Sequence, residues 1–160
     1  MDNRKENQAI QNFENGMNCA QAVISVYAEE LGLNLSTALQ LTSSLGGGIA
    51  RKQEMCGALN GAALVIGLMY GNKTVDDQES KDRADEITRQ FLDKIEPVYG
   101  GLTCKHVLKA SLQTQEDRDN VKSNNLTKFR CNPCISSTIA MLEELKKEKI
   151  VDIKNEVERQ

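Results

Sequence analysis

The sequence predicts an all-α protein, a single-domain helical bundle of about six or seven helices. Apolar residues recur at intervals of three and four along most of the chain, which is the spacing of one buried helix face. Capping residues, glycines and prolines interrupt that spacing at short intervals, and no segment shows the alternation of a strand. The 160 residues contain no repeat and no linker, so residues 1–160 should form one domain.

Two helices are predicted at the start of the chain. Residues 2–14 should form a short helix that stops near Gly16. Asn18 is a typical N-cap, which places Cys19 in the first turn of the second helix. The apolar spacing of this helix continues until Gly32.

The next two helices flank a run of three glycines. Ser36 should cap a third helix that reaches Leu45, and residues 46–48 then form a loop. This loop lacks the Gly-Lys-Ser/Thr ending of a P-loop and follows no predicted strand, which disfavours nucleotide binding. The fourth helix should begin near Glu54, so Cys56 also falls in a first turn.

The fourth helix is predicted to be central, because residues 59–70 are apolar on nearly every side. This run is too short to span a bilayer, which needs about 20 residues. Gly57 and Gly61 share one helix face, and with Gly67 they indicate close approach of another backbone. The glycine faces would serve a homodimer or a core within one chain, so the sequence leaves the oligomeric state open.

The second half of the chain should contain a long helix from Val75 to about Ile95, capped by Thr74. Pro97 and the following glycines should break it. Thr103 should cap a short helix whose first residue is Cys104.

The remaining segments are a polar stretch and a last helix. Residues 113–129 are predicted to be a helix-and-loop connection and the most mobile part of the chain. Residues 131–134 should open the last helix. Residues 150–160 are expected to continue this helix or fray as a tail.

Charge and composition exclude several classes of partner. The net charge of −3 is spread along the chain, and aromatic residues are scarce, so no nucleic-acid surface is expected. The first residues lack the apolar core of a signal peptide. We therefore expect a cytoplasmic protein without membrane insertion.

All five cysteines fall at predicted N-terminal turns of helices. They are Cys19, Cys56, Cys104, Cys131 and Cys134. The partial positive charge of a helix N-terminus lowers a thiol pKa from about 8.5 and favours the thiolate, which is both the nucleophile and the metal ligand. Arg51, Lys52 and Lys105 add positive charge nearby in sequence. A single buried cysteine is more simply a small core residue, but the shared placement of five favours a site.

The Cys131-x-x-Cys134 spacing is the sharpest local motif. A proline between two cysteines ahead of a helix is typical of dithiol sites, in which the outer cysteine attacks and the inner one resolves. No βαβ context surrounds the pair, so a thioredoxin fold is not supported. The same pair could instead donate two metal ligands, or be two unconnected cysteines.

The overall cysteine spacing does not match a zinc finger or a ferredoxin. A metal site would therefore take its ligands from separated helices. His106, the only histidine, could be a ligand or a proton carrier, but a surface position is the simpler interpretation. Sulfur-rich ligation suits iron–sulfur clusters, zinc and copper(I) alike, so the sequence does not choose the metal.

The ordered blocks in residues 13–145 resemble a known family. The blocks are residues 18–23, 45–49, 56–61 and 99–104, followed by a cysteine before the final helix. Together they are similar to the family of redox-active proteins named for its C, GCAxxG, C, C pattern. The resemblance implies a small helical protein whose four family cysteines are Cys19, Cys56, Cys104 and one of the last pair.

The resemblance favours Cys134 as the fourth family cysteine and leaves Cys131 as an alternative ligand. Similar domains accompany haem segments in split-Soret-type cytochromes, which implies an iron–sulfur cluster as the occupant; this chain has no such haem segment. The family's redox partner and substrate stay unknown. The resemblance therefore names a class of chemistry, that of an oxidoreductase or an electron-transfer protein.

Three functions follow as hypotheses. The leading one is an electron-transfer protein in which Cys19, Cys56, Cys104 and Cys134 hold an iron–sulfur cluster or another thiophilic metal. The second is a thiol–disulfide oxidoreductase with Cys131 and Cys134 as its catalytic dithiol. The third is a non-catalytic module stapled by zinc.

Overall fold

The structure, a computed structural model, describes the backbone of residues 3–158 and the side chains of residues 3–149. Over this part it confirms the predicted all-α fold, with no strand and one isolated antiparallel bridge between Met55 and Thr103. One π-helical turn, Thr127–Cys131, precedes the last helix. The α-helices are α1 Arg4–Glu14, α2 Cys19–Ser25, α3 Leu35–Thr42, α4 Gly57–Tyr70, α5 Gln78–Tyr99, α6 Cys104–Leu108, α7 Gln115–Ser123 and α8 Asn132–Glu158.

Helix α4 is the centre of the core, as its apolar sequence predicted. It packs against α2, α5 and α8, and α1 completes the layer by contacting α2 and α8. Most of its side chains are buried, but Leu64 and Leu68 are 38% and 41% exposed, so one side of the helix faces solvent. The largest fully buried side chains around it include Tyr27, Leu59, Ile66, Ile95, Ile135, Ile139 and Leu142.

Two glycines of α4 allow the close packing of α2, as predicted. A Cβ on Gly57 would lie 3.0 Å from the carbonyl oxygen of Leu45, and one on Gly61 would lie 2.9 Å from the Cβ of Val23. The prediction was wrong for Gly67, where an added Cβ would meet no atom within 4 Å. The faces of Gly57 and Gly61 are therefore filled within the chain, and a homodimer stays a prediction that these glycines do not support.

Two predicted caps lie at the wrong residue. Asn34, rather than Ser36, caps α3 by accepting the Thr37 amide at 3.3 Å. Asp77, rather than Thr74, caps α5 by accepting the Ser80 amide at 3.1 Å. Each loop contains more than one residue suited to the N-cap position, and the turn that leads into the helix decides which one is used.

Other helix boundaries also differ from the predictions. Regular α2 ends at Ser25 and gives way to a series of turns that end at Gly32. Helix α5 includes Pro97 and ends at Gly100, whose backbone is left-handed. Pro97 is tolerated in the last turn because only one intrahelical hydrogen bond is lost there.

Both the polar connection, residues 113–129, and the predicted tail contain helix. Within residues 113–129, α7 is capped by Thr114 and Asp117 in a reciprocal capping box. The predicted mobility of this segment stays a prediction. Helix α8 continues to residue 158, and residues 159–160 of the predicted tail lie outside the described residues. No helix in the described part is long and apolar enough to cross a membrane.

Candidate functional site: a cluster of thiols beside a cavity

The backbone of residues 47–51, which begins at the second of the three consecutive glycines, forms a left-handed turn. Gly47, Gly48, Ile49, Ala50 and Arg51 all have φ between 49° and 65°. Left-handed backbone costs about 1–2 kcal/mol for each residue that carries a Cβ. Such strain persists only where the surrounding structure enforces it, and it concentrates at functional sites.

At each of the three consecutive glycines, a side chain would come too close to a neighbouring residue. A Cβ on Gly46 would lie 2.5 Å from the Cβ of Asn18, the N-cap of α2. A Cβ on Gly47 would lie 3.0 Å from the Cγ of Arg51. A Cβ on Gly48 would lie 2.7 Å from the Cβ of Cys104. The glycine run therefore brings the turn against two segments that carry cysteines, α2 and α6.

Two cysteines are aligned by the isolated bridge. The amide of Cys56 donates to the Leu102 carbonyl at 2.9 Å, and the amide of Cys104 donates to the Glu54 carbonyl at 2.7 Å. These hydrogen bonds place the start of α4 beside the start of α6. Cys56 is the N-cap of α4, whereas the sequence predicted a helix start near Glu54, and Cys104 is the first residue of α6 as predicted.

Cys19 is the first residue of α2, as predicted. The Asn18 side chain accepts the Gln21 amide at 2.9 Å, and the Gln21 side chain accepts the Asn18 amide at 3.0 Å. The side-chain Nδ2 of Asn18 also donates to the carbonyl oxygens of Thr42 and Ser43, at the end of α3. One side chain thus caps α2 and holds the start of the glycine loop beside Cys19.

The last two cysteines follow the π-helical turn. Pro133 has no N–H, and its ring would clash with the carbonyl four residues earlier, so a regular α-helix cannot continue through this point. The backbone responds with a π turn, in which the Asn132 amide bonds to Thr127. Cys131 ends that turn and Cys134 lies in the first turn of α8. The prediction that both thiols lie at a free helix start was wrong for Cys131, because a helical turn precedes it.

The five thiols come together at one end of the bundle, and all are free. The sulfurs of Cys56 and Cys134 are 4.0 Å apart. Cys19 is half-buried and has the Cys131 thiol as its hydrogen-bond neighbour. Cys104 lies within the electrostatic range of Cys56 and Cys131. Cys131 and Cys134, which the motif predicted as a dithiol pair, thus each have a different cysteine as hydrogen-bond neighbour: Cys19 for Cys131 and Cys56 for Cys134.

The thiol pKa values separate one cysteine from three others. A hydrogen bond from Cys134 lowers the pKa of Cys56 despite its burial, and the amides of Ala58 and Leu59 at the start of α4 lower it further. The reciprocal hydrogen bond, followed by burial, raises the pKa of Cys134. Burial raises the pKa of Cys104 to about 12, with the charges of Cys56 and Cys131 adding to the effect.

Cys19 belongs with the thiols of raised pKa. The hydrogen bond with Cys131 raises the pKa of Cys19, and burial and the neighbouring thiolate charges act in the same direction. The expectation that helix starts lower these thiol pKa values is therefore correct for Cys56 and wrong for Cys19, Cys104 and Cys134. Hydrogen bonds between thiols, then burial, raise the pKa of Cys19 and Cys134, and burial raises that of Cys104; these effects exceed that of the helix ends.

A cavity of about 470 Å³ opens beside the thiols. Cys19, Cys104 and Cys131 line it, whereas Cys56 and Cys134 lie deeper, in the main core. The left-handed turn forms one wall and places Arg51 on it. The remaining lining residues are Phe13, Asn18, Ser43, Ser44, Gly46, Gly47, Ala50, Leu108, Leu112 and Thr127.

The charged residues singled out in the sequence divide into two groups. All three are exposed, but Arg51 lines the cavity and Lys52 and Lys105 do not. His106 is exposed and its Nδ1 lies 2.7 Å from the Thr103 hydroxyl, so it has the predicted surface position.

Several residues of the site had no signal in the sequence. Gln53 is buried and fixes residues 110–112 to the turn, donating to the Ala110 carbonyl at 2.7 Å and accepting the Leu112 amide at 3.0 Å. Tyr99 lies near Cys134, and its hydroxyl is 3.2 Å from that of Ser137. Both roles depend on contacts between distant segments, which no local pattern records.

Among the side chains of residues 3–149, no group of three or more His, Cys, Asp or Glu is arranged to hold a metal ion. The thiols are therefore gathered in one region without forming the shell of a single ion.

Fold and site together define a class: small all-α proteins in which separate helices bring a buried cluster of free thiols together. The chain belongs to the family described as "Putative redox-active protein (C_GCAxxG_C_C)", whose model matches residues 17–145. In this chain the cysteine of the middle block precedes the glycine, so residues 56–61 read Cys-Gly-Ala-Leu-Asn-Gly. No curated protein and no solved structure matches the chain.

Proposed function

We propose that the protein is an electron-transfer protein whose cysteines hold one sulfur-ligated metal centre, an iron–sulfur cluster or another thiophilic metal. The observation that carries the proposal is the convergence of thiols from α2, α4, α6 and the segment joining the π turn to α8. Strained turns, a π turn and a bridge between loops are all used to bring these thiols together. A set of unrelated core cysteines would not require this local structure.

The donor chemistry supports a thiophilic occupant. Among the described residues, the cavity lining contains cysteines but no histidine, aspartate or glutamate. The sulfur donors that fit are Cys19, Cys56, Cys104 and Cys134, with Cys131 as an alternative ligand. Thiolate ligands of this kind select iron–sulfur clusters, zinc or copper(I) over hard cations.

The spacing of the sulfurs favours a cluster over a single zinc ion. Two thiolates on one tetrahedral metal, with metal–sulfur bonds of about 2.3 Å, lie about 3.8 Å apart. The pair Cys56 and Cys134, at 4.0 Å, is close to that value. No third donor in the described side chains joins them as one shell. Ligands of a cluster are divided among several metal atoms, so they need not surround one point.

The chain's own residues set the environment of such a centre. Burial of Cys56 and Cys134, at 4% and 1% exposure, excludes water from the deeper sulfurs. Thr138 is fully buried, its hydroxyl makes no regular hydrogen bond, and Cys134 is the thiol it faces. An iron–sulfur cluster supplies one-electron redox chemistry, whose potential depends on burial and on hydrogen bonds to sulfur.

The test is an absorption spectrum and metal analysis of protein purified without oxygen. The proposal expects visible charge-transfer bands, with iron and acid-labile sulfide, and their loss in Cys56→Ser. A Ser25→Ala variant, at the end of α2 away from the cavity lining, serves as the matched control and should keep the bands. Colourless protein with stoichiometric zinc would favour the zinc staple instead.

A second candidate is thiol–disulfide exchange, which the contact between Cys56 and Cys134 favours. The Cys56 thiolate would attack a substrate disulfide and release one substrate thiolate. Cys134 would then attack the Cys56 sulfur of the mixed disulfide, its proton passing to the second thiolate released. Two electrons thus pass to the substrate, and a Cys56–Cys134 disulfide forms.

Access weighs against this second candidate, because both sulfurs are buried and neither lines the cavity. Cys131 and Cys134, the dithiol suggested by the sequence, stay an untested alternative. Colourless, metal-free protein with one titratable disulfide would favour exchange, and peptide mapping would identify which cysteines it joins.

A further inference from the structure

We propose that the cavity beside the thiols binds a small anionic molecule through a carboxylate or phosphate group. The inference goes beyond electron transfer and does not depend on which metal, if any, the cysteines hold. Three features of the cavity carry it: the charge of its described lining, backbone amides without acceptors among the described residues, and the contacts that hold Arg51 beside those amides.

The first feature is the charge of the wall. Arg51 is the one charged residue in the described lining, and no aspartate or glutamate accompanies it. Within the described residues, no carboxylate forms an ion pair with its guanidinium and no acceptor takes a hydrogen bond from it. The whole chain is acidic, with a net charge of −3, so a lining without acids is not a reflection of composition.

The second feature is the backbone of the left-handed turn. The carbonyls of Gly46, Gly47 and Gly48 accept the amides of residues 51, 53 and 54, at 3.3, 3.0 and 3.0 Å. The amides of the same three glycines have no acceptor among the described residues. Within the described residues, these glycines thus have bonded carbonyls and unbonded amides, and Gly46 and Gly47 line the cavity whereas Gly48 does not. A row of backbone donors of this kind attracts oxyanions.

The third feature is the way Arg51 and the donors are held together. The Arg51 side chain passes over Gly47, where a Cβ would lie only 3.0 Å from its Cγ. Gln53 fixes the turn to residues 110–112. Ser43 and Ser44 also line the cavity, and each carries a hydroxyl that can donate. A guanidinium and several neutral donors in a cavity of about 470 Å³ suit a small anionic ligand.

The proposal also explains the cost of the turn. Ile49, Ala50 and Arg51 carry a Cβ yet adopt left-handed backbone, with φ of 61°, 49° and 64°. Gly46, Gly47, Ala50 and Arg51 line the same cavity as Cys19, Cys104 and Cys131, so a bound anion would lie beside these thiols.

The test uses nitrogen-15 NMR spectra of the full chain, reduced and without oxygen. Potassium phosphate and potassium succinate are titrated separately, with potassium chloride holding the ionic strength constant. We expect the Gly46 and Gly47 amide resonances to shift and saturate with at least one of them. The two titrations distinguish a phosphate ligand from a carboxylate ligand.

Variants of adjacent residues separate a site from general surface charge. Arg51→Gln should raise the dissociation constant about tenfold or more, whereas Arg51→Lys should retain part of the affinity. Lys52→Gln removes the same charge from an exposed side chain that does not line the cavity, and should bind within about twofold of the wild type.

Two results would overturn the proposal. One is the absence of saturable shifts of these glycines with both anions in the wild-type chain, a result that does not require any variant to fold. The other is an equal loss of affinity in Arg51→Gln and Lys52→Gln. The redox proposal is unaffected by either result, since neither readout depends on a metal or on visible absorption.

Discussion

Three consecutive residues with a Cβ, Ile49, Ala50 and Arg51, have left-handed backbone, and the last two line the thiol cavity. Their conformation follows from contacts on both sides. Gly46 is pressed against Asn18, and Gln53 is tied to residues 110–112. The intervening residues must close the distance between these two anchors, and the strain is the result.

Replacing Ala50 with glycine should therefore stabilise the protein. Relief of left-handed strain gains about 1–2 kcal/mol, and the extra freedom of glycine in the unfolded chain costs about 0.5–1 kcal/mol. We expect a net increase in the free energy of unfolding of about 0.5–1 kcal/mol, measured by urea denaturation.

The same substitution at Ala63, inside α4, is the matched control. It should lower the free energy of unfolding by about 1 kcal/mol, because glycine disfavours a helix interior. A destabilised Ala50→Gly would show that the turn is not strained at this position.

The buried thiols should make the reduced, metal-free protein sensitive to alkaline pH. Cys104 has its pKa raised to about 12 in the folded state. In the unfolded chain a thiol ionises near pH 8.5. Below that pH both states are neutral, and above it only the unfolded chain releases the proton, so the stability is present at neutral pH and is lost between about pH 8.5 and 12.

For Cys104 this loss should reach about 1–2 kcal/mol at pH 10, measured as the change in free energy of unfolding between pH 7.5 and 10. Cys104→Ala should lose correspondingly less over the same interval. An identical pH dependence in the two proteins would contradict the raised pKa.

The role of an individual residue could be predicted where it depends on its sequence neighbours, but not where it depends on a contact with a distant segment. Asn18 and Thr103 cap their helices as predicted, because capping depends on three neighbouring residues. The thiol pKa values could not be predicted, since they depend on which sulfurs face one another. Arg51 was noted for its charge, but its place on the cavity wall results from the left-handed turn.

At the scale of elements, the contact between α2 and α4 determines where the first two thiols lie. Gly57 allows the Leu45 carbonyl and Cys19 to approach α4, and Gly61 does the same for Val23 and Ala20. Because Cys19 and Cys56 lie at the ends of these two helices, a shift of one helix against the other would change their separation.

Gly61→Ala should reduce stability by roughly 1–3 kcal/mol, since the added Cβ would lie 2.9 Å from the Cβ of Val23. The larger Gly61→Leu should cost at least as much. Thermal or urea unfolding measures both changes.

Gly67→Ala is the matched control on the same helix, because an added Cβ there meets no atom within 4 Å. It should raise the free energy of unfolding by about 1 kcal/mol, the helix preference of alanine over glycine. A Gly61→Ala variant as stable as Gly67→Ala would disprove the close approach of α2.

The elements themselves were largely predictable, and their boundaries were less so. The apolar period identified the long helices, and the composition of residues 59–70 identified the central one. The π turn before α8 and the short α2 were not predicted. In each case tertiary packing determines where the regular α-helix is interrupted or ends, because several neighbouring positions in the sequence would serve with similar energy.

At the scale of the whole molecule, the sequence indicated one site from four or five cysteines, and the fold gathers these thiols at one end of the bundle. The order of the family blocks could be read directly from the sequence. The metal or cluster that the thiols hold could not, because thiolates bind several metals. The redox partner, the cytoplasmic location and a homodimer stay predictions.

The central claim is that the cysteines act as one metal site, and site-resolved alkylation tests it most directly. Each cysteine of the reduced protein is labelled with iodoacetamide against pH, with and without reconstituted cluster or zinc, and quantified by peptide mass spectrometry. Without metal, the half-buried Cys19 should be more accessible than Cys56, Cys104 and Cys134. With metal, Cys19, Cys56, Cys104 and Cys134 should become protected together, because ligated thiolates are not free nucleophiles. Rapid labelling of Cys131 alone, at a rate that metal does not change, would contradict the account.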